Sequence, residues 1–184
     1  GPKYWSNDMK EFFKDCHHEV FYLTTEDGFI VDKANKDILN LATTIALQNP
    51  NDKFLRFNLT CDVQSRNHDV LTSYDKYDLI KSHQNVMYRQ SLNHSIWRKE
   101  SFLNKMLPNQ SPWEFETDNS RSMHDGLDVY ATKGKYAIHC GHGYQKGRKV
   151  KNWYMCTHPH ITGCNGLSIE DKTYIEKNNW MPEI

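Results

Sequence analysis

The segment from residue 20 to residue 59 constrains the fold more than any other part of the chain. Val20–Leu23 is a short apolar run rich in β-forming residues, and residues 54–59 alternate apolar and polar side chains with a period of two. Between these two predicted strands, Lys36–Gln48 has the apolar spacing of an amphipathic helix, and Pro50 follows its end. This strand, helix, strand unit predicts an α/β domain.

The rest of the chain yields weaker predictions of the same kind. Residues 60–85 are polar and rich in turn formers, so we expect a long functional or mobile loop there, and a second polar loop runs to about residue 126. The remaining predicted elements are helices at 4–13 (capped by Ser6 or Asn7), 97–107 and 168–177 (capped by Ser168), a strand at 86–88, and a hairpin with strands at 128–131 and 136–139.

Composition favours one folded domain over residues 1–184. The chain has 184 residues with 12% aromatic residues, which is typical of a packed globule, and no segment has the composition of a linker. Lys plus Arg and Asp plus Glu both number 23, so no global field attracts nucleic acid or an anionic membrane. Any such partner must bind a local patch.

Cysteine usage and hydropathy bear on the compartment. Five cysteines without the even spacing of a disulfide framework favour a reducing compartment, so we expect a cytoplasmic protein. No apolar run has the length of a membrane helix, and no signal peptide is present. Gly1-Pro2 is typical of the scar that a protease leaves, and we therefore expect the natural protein to begin earlier.

Two pairs of carboxylates are candidates for a chemical role. Glu26 and Asp27 follow the first predicted strand, and ligands of open α/β sheets bind at the carboxyl ends of strands. Glu114 and Glu116 alternate with Trp113 and Phe115 after a proline, and packing of these aromatic rings could direct both carboxylates into a shared space. One pair could bind a hard divalent cation and the other could supply a general base; exposed surface charge is the alternative for each pair.

The last third of the chain carries metal-ligand and basic residues. Cys140, His142, Cys156, His158 and Cys164 have a layout compatible with a structural zinc site, although the spacing matches no familiar finger; buried thiols and exposed histidines are the alternative. Residues 133–151 contain six basic residues and no acidic residue. This tract is a solvated loop, a clamp for a diphosphate or a contact to a nucleic-acid backbone.

Several motifs together resemble a known family. They are Phe21-Tyr-Leu-Thr-Thr-Glu-Asp-Gly-Phe-Ile30, Ser91-Leu-Asn-His-Ser-Ile-Trp97-Arg-Lys-Glu-Ser-Phe-Leu103, Ser111-Pro-Trp-Glu-Phe-Glu116 and Lys146-Gly-Arg148. In this order they resemble small nucleotide-sugar glycosyltransferases with the GT-A fold, which occur in bacteria and in large bacteriophages. The chain is similar to the C-terminal portion of that family, so the resemblance implies a GT-A-like mixed sheet with flanking helices that lacks the N-terminal nucleotide-binding strands.

The resemblance implies roles for individual residues. Asp27, with Glu26, corresponds to the metal-binding acidic motif, in which Gly28 here occupies one of the acidic positions, and His139 is expected to reach the metal or the diphosphate. Glu116, or else Glu114, corresponds to the base that deprotonates the acceptor. The donor diphosphate is assigned to Lys146, Arg148 and Trp97.

Two functional hypotheses follow. The first is a glycosyltransferase, or the catalytic and acceptor portion of one, that transfers a sugar from a nucleotide diphosphate to a hydroxyl of a surface glycan or of a hydroxylated DNA base, with Mn²⁺ or Mg²⁺. If the protein is phage-encoded, it acts in the host cytoplasm. The second is a non-catalytic binding module, zinc-stabilised, that contacts nucleic acid through residues 133–164.

Overall fold

Helices and strands alternate along the chain. The computed structural model describes residues 4–25, 28–61, 63, 66–142, 144–145, 148–149, 151–156, 159 and 164–178. The elements within them are α1 (Trp5–Lys14), β1 (Val20–Leu23), β2 (Gly28–Ile30), α2 (Lys36–Gln48), β3 (Phe54–Asn58), β4 (His68–Ser73), β5 (Asp78–Ser82), β6 (Ser95–Arg98), α3 (Lys99–Lys105), α4 (Pro112–Thr117), α5 (Asn119–Ser122), β7 (Asp128–Lys133), β8 (Cys140–His142), β9 (Tyr144–Gln145), β10 (Arg148–Lys149) and α6 (Ile169–Lys177).

Six strands form a mixed sheet in the order β1-β6-β3-β7-β5-β4. The central strands β3 and β7 are parallel, and every other neighbouring pair in this sheet is antiparallel. The helix α2 connects β2 to β3 and is capped by Asn35, whose Oδ1 accepts hydrogen bonds from the backbone N–H groups of Asp37 and Ile38. The predicted α/β fold with a mixed sheet and flanking helices is therefore confirmed.

Two apolar clusters cover the two faces of this sheet. On one face, α1, α3 and α4 contribute Phe13, Phe102 and Phe115 to a cluster that also contains Trp97. On the other face, α2 packs its buried side, which includes Ile38, against the sheet. All five residues of β3 are buried because both faces of the sheet are covered. Arg56 and Asn58 therefore do not face solvent, contrary to what the alternation of apolar and polar residues had suggested.

Four predicted elements are wrong. The expected loop at 60–85 contains the antiparallel hairpin β4–β5, residues 86–88 lie in turns rather than in a strand, and the loop expected from the end of the Ser111–Glu116 motif to about residue 126 contains the short helix α5. Residues 128–131 do not form a hairpin with 136–139, because β7 pairs with β3 and β5 instead.

Helix ends also differ from the expectation. The third helix begins at Lys99, since residues 95–98 form a strand. The residue before α1 is Tyr4, which makes no capping hydrogen bond with its side chain. Ser6, expected to cap that helix, is fully buried, and its Oγ accepts a hydrogen bond of 2.9 Å from the backbone N–H of Gln110.

No helix in the described part of the chain is both long enough and apolar enough to cross a membrane.

Candidate functional site

The element Ser111–Glu116 has a clear local structure. Ser111 caps α4: its Oγ accepts a hydrogen bond from the backbone N–H of Glu114, and the Glu114 carboxylate accepts one of 2.7 Å from the backbone N–H of Ser111. Phe115 is fully buried, whereas Trp113 is 65% exposed, so only one of the two rings packs in the core. Glu114 therefore closes a capping box.

Glu116 faces the chain that precedes β6. Its carboxylate accepts a hydrogen bond of 2.6 Å from the backbone N–H of Leu92 and one of 3.1 Å from the Ser91 hydroxyl. These contacts join two of the motifs noted in the sequence, and they give both carboxylates of the element a structural role. The assignment of Glu116 or Glu114 as a base stays a prediction.

Trp97 does not contact solvent. Its side chain is fully buried, with ring centroids 5.0 Å from Phe102 and 6.2 Å from Phe115. A ring enclosed in the core cannot contact a donor, so the assignment of Trp97 to donor binding is wrong. The residue is an aromatic centre of packing for one face of the sheet.

A polar cluster lies at the end of β1. The Nδ1 atom of His94 lies 2.5 Å from the Tyr22 hydroxyl and 3.0 Å from the Thr24 hydroxyl, and the imidazole stacks on the Tyr22 ring. Burial raises the pKa of Tyr22, the hydrogen bond with Thr24 lowers it, and the nearby Cys140 raises it further. Thr24, a member of this cluster, lies two residues before Glu26 in the sequence.

The same cluster explains Gly28. A Cβ atom at this position would lie 2.9 Å from Nε2 of His94, closer than a side chain normally tolerates. The backbone of β2 therefore rests directly against the imidazole, and the absence of an acidic residue at position 28 has a steric cause.

The small sheet β2–β8 brings two predicted site segments together. Gly28 pairs with His142 and Ile30 with Cys140 in antiparallel register, and the hairpin β9–β10 follows β8. Gly28, at the start of β2, and His142, at the end of β8, therefore lie side by side at one end of this sheet. Glu26, Asp27 and Lys146 lie outside the described residues, as does the Arg148 side chain.

His139 belongs to a different group of side chains. One ligand atom each from His139, Cys156 and Cys164 lies within 4.8 Å of the others, and both thiols are buried. Burial lowers the pKa of His139, while the charge of Asp32 raises it, and His139 Nδ1 is buried without a hydrogen-bond partner among the described residues. Burial likewise raises the pKa of Cys164.

The predicted zinc ligands are only partly brought together. Cys156 and Cys164 are adjacent, but the third member of the group is His139 and not the predicted ligand Cys140, which packs against the apolar cluster that contains Ile38 and lies near Tyr22. Neighbouring residues of an extended chain point to opposite faces, so a site that contains His139 excludes Cys140. His158 and the His142 side chain lie outside the described residues.

A cleft of about 600 Å³ adjoins this group. It lies between the chain that continues from β2 and the helix α6, and it is lined by Ile30, Val31, Asp32, Lys33, Gly166, Leu167, Ser168, Asp171, Tyr174 and Ile175. Its mixed polar and apolar walls can accommodate a small ligand beside the β2–β8 sheet.

Sequence reasoning missed the buried polar residues. Arg56 and Arg89 are fully buried, and His94 is almost so. A charged residue inside the apolar run Phe54-Leu55-Arg56-Phe57 was a usable signal for Arg56, because a charge in a covered strand requires buried partners. Arg89 and His94 stand in polar surroundings in the sequence and gave no comparable signal.

Comparison of the chain with models of protein families, with curated proteins and with solved structures found no significant match. The fold and the site define a mixed α/β protein with a small second sheet, a cleft and a His/Cys cluster.

Proposed function

We propose that this chain is the acceptor-side portion of a GT-A-like glycosyltransferase that transfers a sugar from a nucleotide diphosphate to a hydroxyl. The supporting observation is the register of the β2–β8 sheet. Gly28, which directly follows Glu26 and Asp27 in the sequence, pairs with His142, which precedes Lys146 and Arg148 by four and six residues.

That arrangement suits a nucleotide diphosphate. The leaving diphosphate is strongly anionic, and both basic side chains and a divalent cation stabilise such a group. A divalent ion, Mn²⁺ or Mg²⁺, would offset the charge of the leaving diphosphate when bound, with Asp27 and Glu26 as its proposed oxygen ligands. The basic residues Lys146 and Arg148 would orient the diphosphate.

The proposed role of Glu116 in binding the acceptor is supported by its contact with the chain before β6. A base must face the acceptor hydroxyl, and Glu116 is half-buried beside Ser91, at the surface end of the aromatic core. The acceptor in this proposal is a surface glycan or a hydroxylated base in DNA.

Binding of nucleoside diphosphates tests the donor side. UDP, GDP, CDP, ADP and dTDP are titrated into the 184-residue protein by calorimetry, with and without Mn²⁺. We expect one of them to bind in a metal-dependent manner, Asp27→Asn to abolish the metal dependence, and Lys146→Ala to weaken binding by roughly tenfold, about 1.4 kcal/mol.

Matched controls come from the turn between β4 and β5. Asp75 and Lys76 are exposed there, and Asp75→Asn and Lys76→Ala should leave binding unchanged. Metal-independent binding, absence of binding for all five nucleotides, or equal effects of Asp27→Asn and Asp75→Asn would contradict the donor site.

Release of nucleoside diphosphate from a nucleotide sugar, by the chain extended upstream to include the nucleotide-binding strands, tests Glu116. Glu116→Gln keeps an oxygen that can accept hydrogen bonds from Leu92 and Ser91, so the fold should be retained while turnover is lost. Turnover equal to that of the wild type would remove Glu116 from the mechanism.

A non-catalytic module that contacts nucleic acid through residues 133–164 is the second candidate, and the His139, Cys156 and Cys164 cluster favours it because such clusters stabilise small binding modules. Affinity for duplex and single-stranded DNA is measured across a salt series. Binding that weakens steeply with salt, without any nucleoside diphosphate binding, would favour this candidate over the transferase.

A further inference from the structure

We propose that His139, Cys156 and Cys164 bind a structural zinc ion that fastens the chain after β10 to the β2–β8 sheet. This proposal does not depend on sugar transfer, and either one can fail alone. The first argument is geometric: the three ligand atoms already lie within 4.8 Å of one another. Tetrahedral zinc with sulfur and nitrogen ligands needs separations of roughly 3.3–3.8 Å, so the ligand atoms have to approach one another by at most about 1.5 Å to close the site.

The second argument is the chemistry of the ligands. Two thiolates and one imidazole form a soft to borderline set, which selects zinc over Mg²⁺, Mn²⁺ or Ca²⁺. Both thiols are more than nine-tenths buried, and the Nδ1 atom of His139 is buried without a hydrogen-bond partner in the described part of the chain. An imidazole beside two sulfur atoms, with a buried ring nitrogen that has no described hydrogen-bond partner, is explained by a shared ligand.

The third argument is that the local apolar core is small. Its buried members are Val31, Cys156 and Cys164, with Phe29 and Leu167 packed against them. A core of this size, in which two of three buried residues are cysteines, supplies little stabilisation through apolar burial alone, and small structural units of this kind are commonly held by a metal.

The backbone around the site is nevertheless closely packed. A Cβ at Gly141 would lie 2.5 Å from the carbonyl oxygens of both Trp153 and Met155, and one at Gly166, whose φ is +95°, would lie 2.1 Å from Tyr154 O. The segments that contain Gly141, Trp153–Met155 and Gly166 thus pack so closely that only glycine fits at the two contact points. The zinc ligands come from these same three segments, so metal binding would fix an arrangement that apolar burial does not.

A tetrahedral zinc ion takes a fourth ligand. The stretch between the two cysteines contains His158 and His160, two and four residues after Cys156. A histidine that follows a ligand cysteine closely is common in zinc sites, so His158 and His160 are the two candidates for the fourth ligand that the experiment compares.

The test is metal content. The protein is purified without chelator, dialysed against a weak chelator to remove surface-bound ions, and analysed by elemental mass spectrometry. We expect about one zinc per chain, and we expect Cys156→Ser and Cys164→Ser each to lose most of it. Cys140→Ser is the matched control, because Cys140 is adjacent in sequence to His139 but packs on the other side, and it should keep its zinc.

Cobalt substitution covers the case in which a serine variant fails to fold. Wild-type protein loaded with Co²⁺ should show thiolate-to-cobalt charge transfer and the intense visible bands of a tetrahedral site. His158→Ala and His160→Ala are compared in the same assay, and loss of the tetrahedral bands in one of them identifies the fourth ligand. No zinc after incubation with zinc chloride, a Cys156–Cys164 disulfide in the purified protein, an octahedral cobalt spectrum, or equal zinc loss in Cys140→Ser would each overturn the proposal.

Discussion

Replacement of Arg89 by methionine should remove one of the most connected buried groups in the described part of the fold. The Arg89 side chain is fully buried, and its guanidinium donates hydrogen bonds to Ser122 O at 2.7 Å, His83 O at 3.0 Å, Asp125 Oδ1 at 3.2 Å and Leu127 O. It therefore connects the end of β5 with the chain between α5 and β7. Methionine keeps most of the apolar stem and removes every donor.

The expected loss of unfolding free energy follows from these contacts. Removal of one partner from a buried charge pair typically costs about 3–5 kcal/mol, and each carbonyl left without a donor costs about 1–3 kcal/mol, although such terms do not add. Two effects reduce the total. Lys105 Nζ stays 2.7 Å from Asp125, and burial disfavours the charged guanidinium, since desolvation lowers the pKa of Arg89 despite the opposing effect of Asp125. We expect a loss of about 3–4 kcal/mol.

Urea denaturation followed by tryptophan fluorescence measures this loss, because Trp97 is buried in the core. Arg121→Met is the matched control: Arg121 also donates to backbone carbonyls, those of Lys105 and Asn104, but its side chain is 32% exposed and its ion pair with Asp118 is 3.7 Å long. The control should lose less than about 1 kcal/mol. Equal losses in the two variants, or a loss below about 1 kcal/mol for Arg89→Met with an unchanged denaturant slope, would refute the reasoning.

Two further predictions concern stability. Glu114→Ala removes the capping box of a short helix and should cost about 1 kcal/mol in urea denaturation, whereas Glu114→Gln, which keeps a side-chain acceptor, should cost less. Burial, together with the negative charge of Asp128 and a hydrogen bond to it, raises the pKa of Tyr130 from 10.0 to about 12. Between these two values the unfolded chain loses the phenol proton and the folded chain keeps it, so stability should fall by up to roughly 2.7 kcal/mol as the pH rises from 10 to 12. Tyr130→Phe should lack this part of the pH dependence, and identical pH profiles for the two proteins would contradict it.

The α/β class and the strongest elements could be predicted from the sequence because their signals are local. Lys36–Gln48 has the periodicity of a helix over more than three turns, and Val20–Leu23 is a compact β-rich run, so both were predicted with the correct bounds. The β4–β5 hairpin could not be predicted in the same way. Most of β4 is exposed and polar, so its pairing with β5 depends on the edge of the sheet and not on an apolar pattern of its own.

The candidate sites show the same division between local and non-local information. The capping box at Ser111 and Glu114 follows from residues three apart, although the sequence suggested a catalytic interpretation for Glu114 first. The cluster of His139, Cys156 and Cys164 depends on tertiary packing, since these residues meet only when the chain after β10 folds back on β8. The spacing identified Cys156 and Cys164 as candidate ligands. It could not show whether His139 or Cys140 faces them, because neighbouring residues of an extended chain point to opposite sides.

The backbone of β8 and of His139 before it lies between the two proposed sites, whereas the side chains of His139 and Cys140 point to different sides. The carbonyl of His139, which directly precedes β8, accepts a hydrogen bond from the backbone N–H of Val31, which directly follows β2. The proposed zinc ligand therefore also aligns β2, whose first residue pairs with His142 at the proposed nucleotide end. On the opposite side, Cys140 lies near Tyr22, which belongs to the polar cluster at the end of β1. A metal that fixes β8 would therefore fix the register on which the nucleotide site depends. Substitution of Glu26 or Asp27, in contrast, should leave that register unchanged. We therefore expect loss of the proposed zinc ion to weaken nucleotide binding, and loss of nucleotide binding to leave the zinc content unchanged.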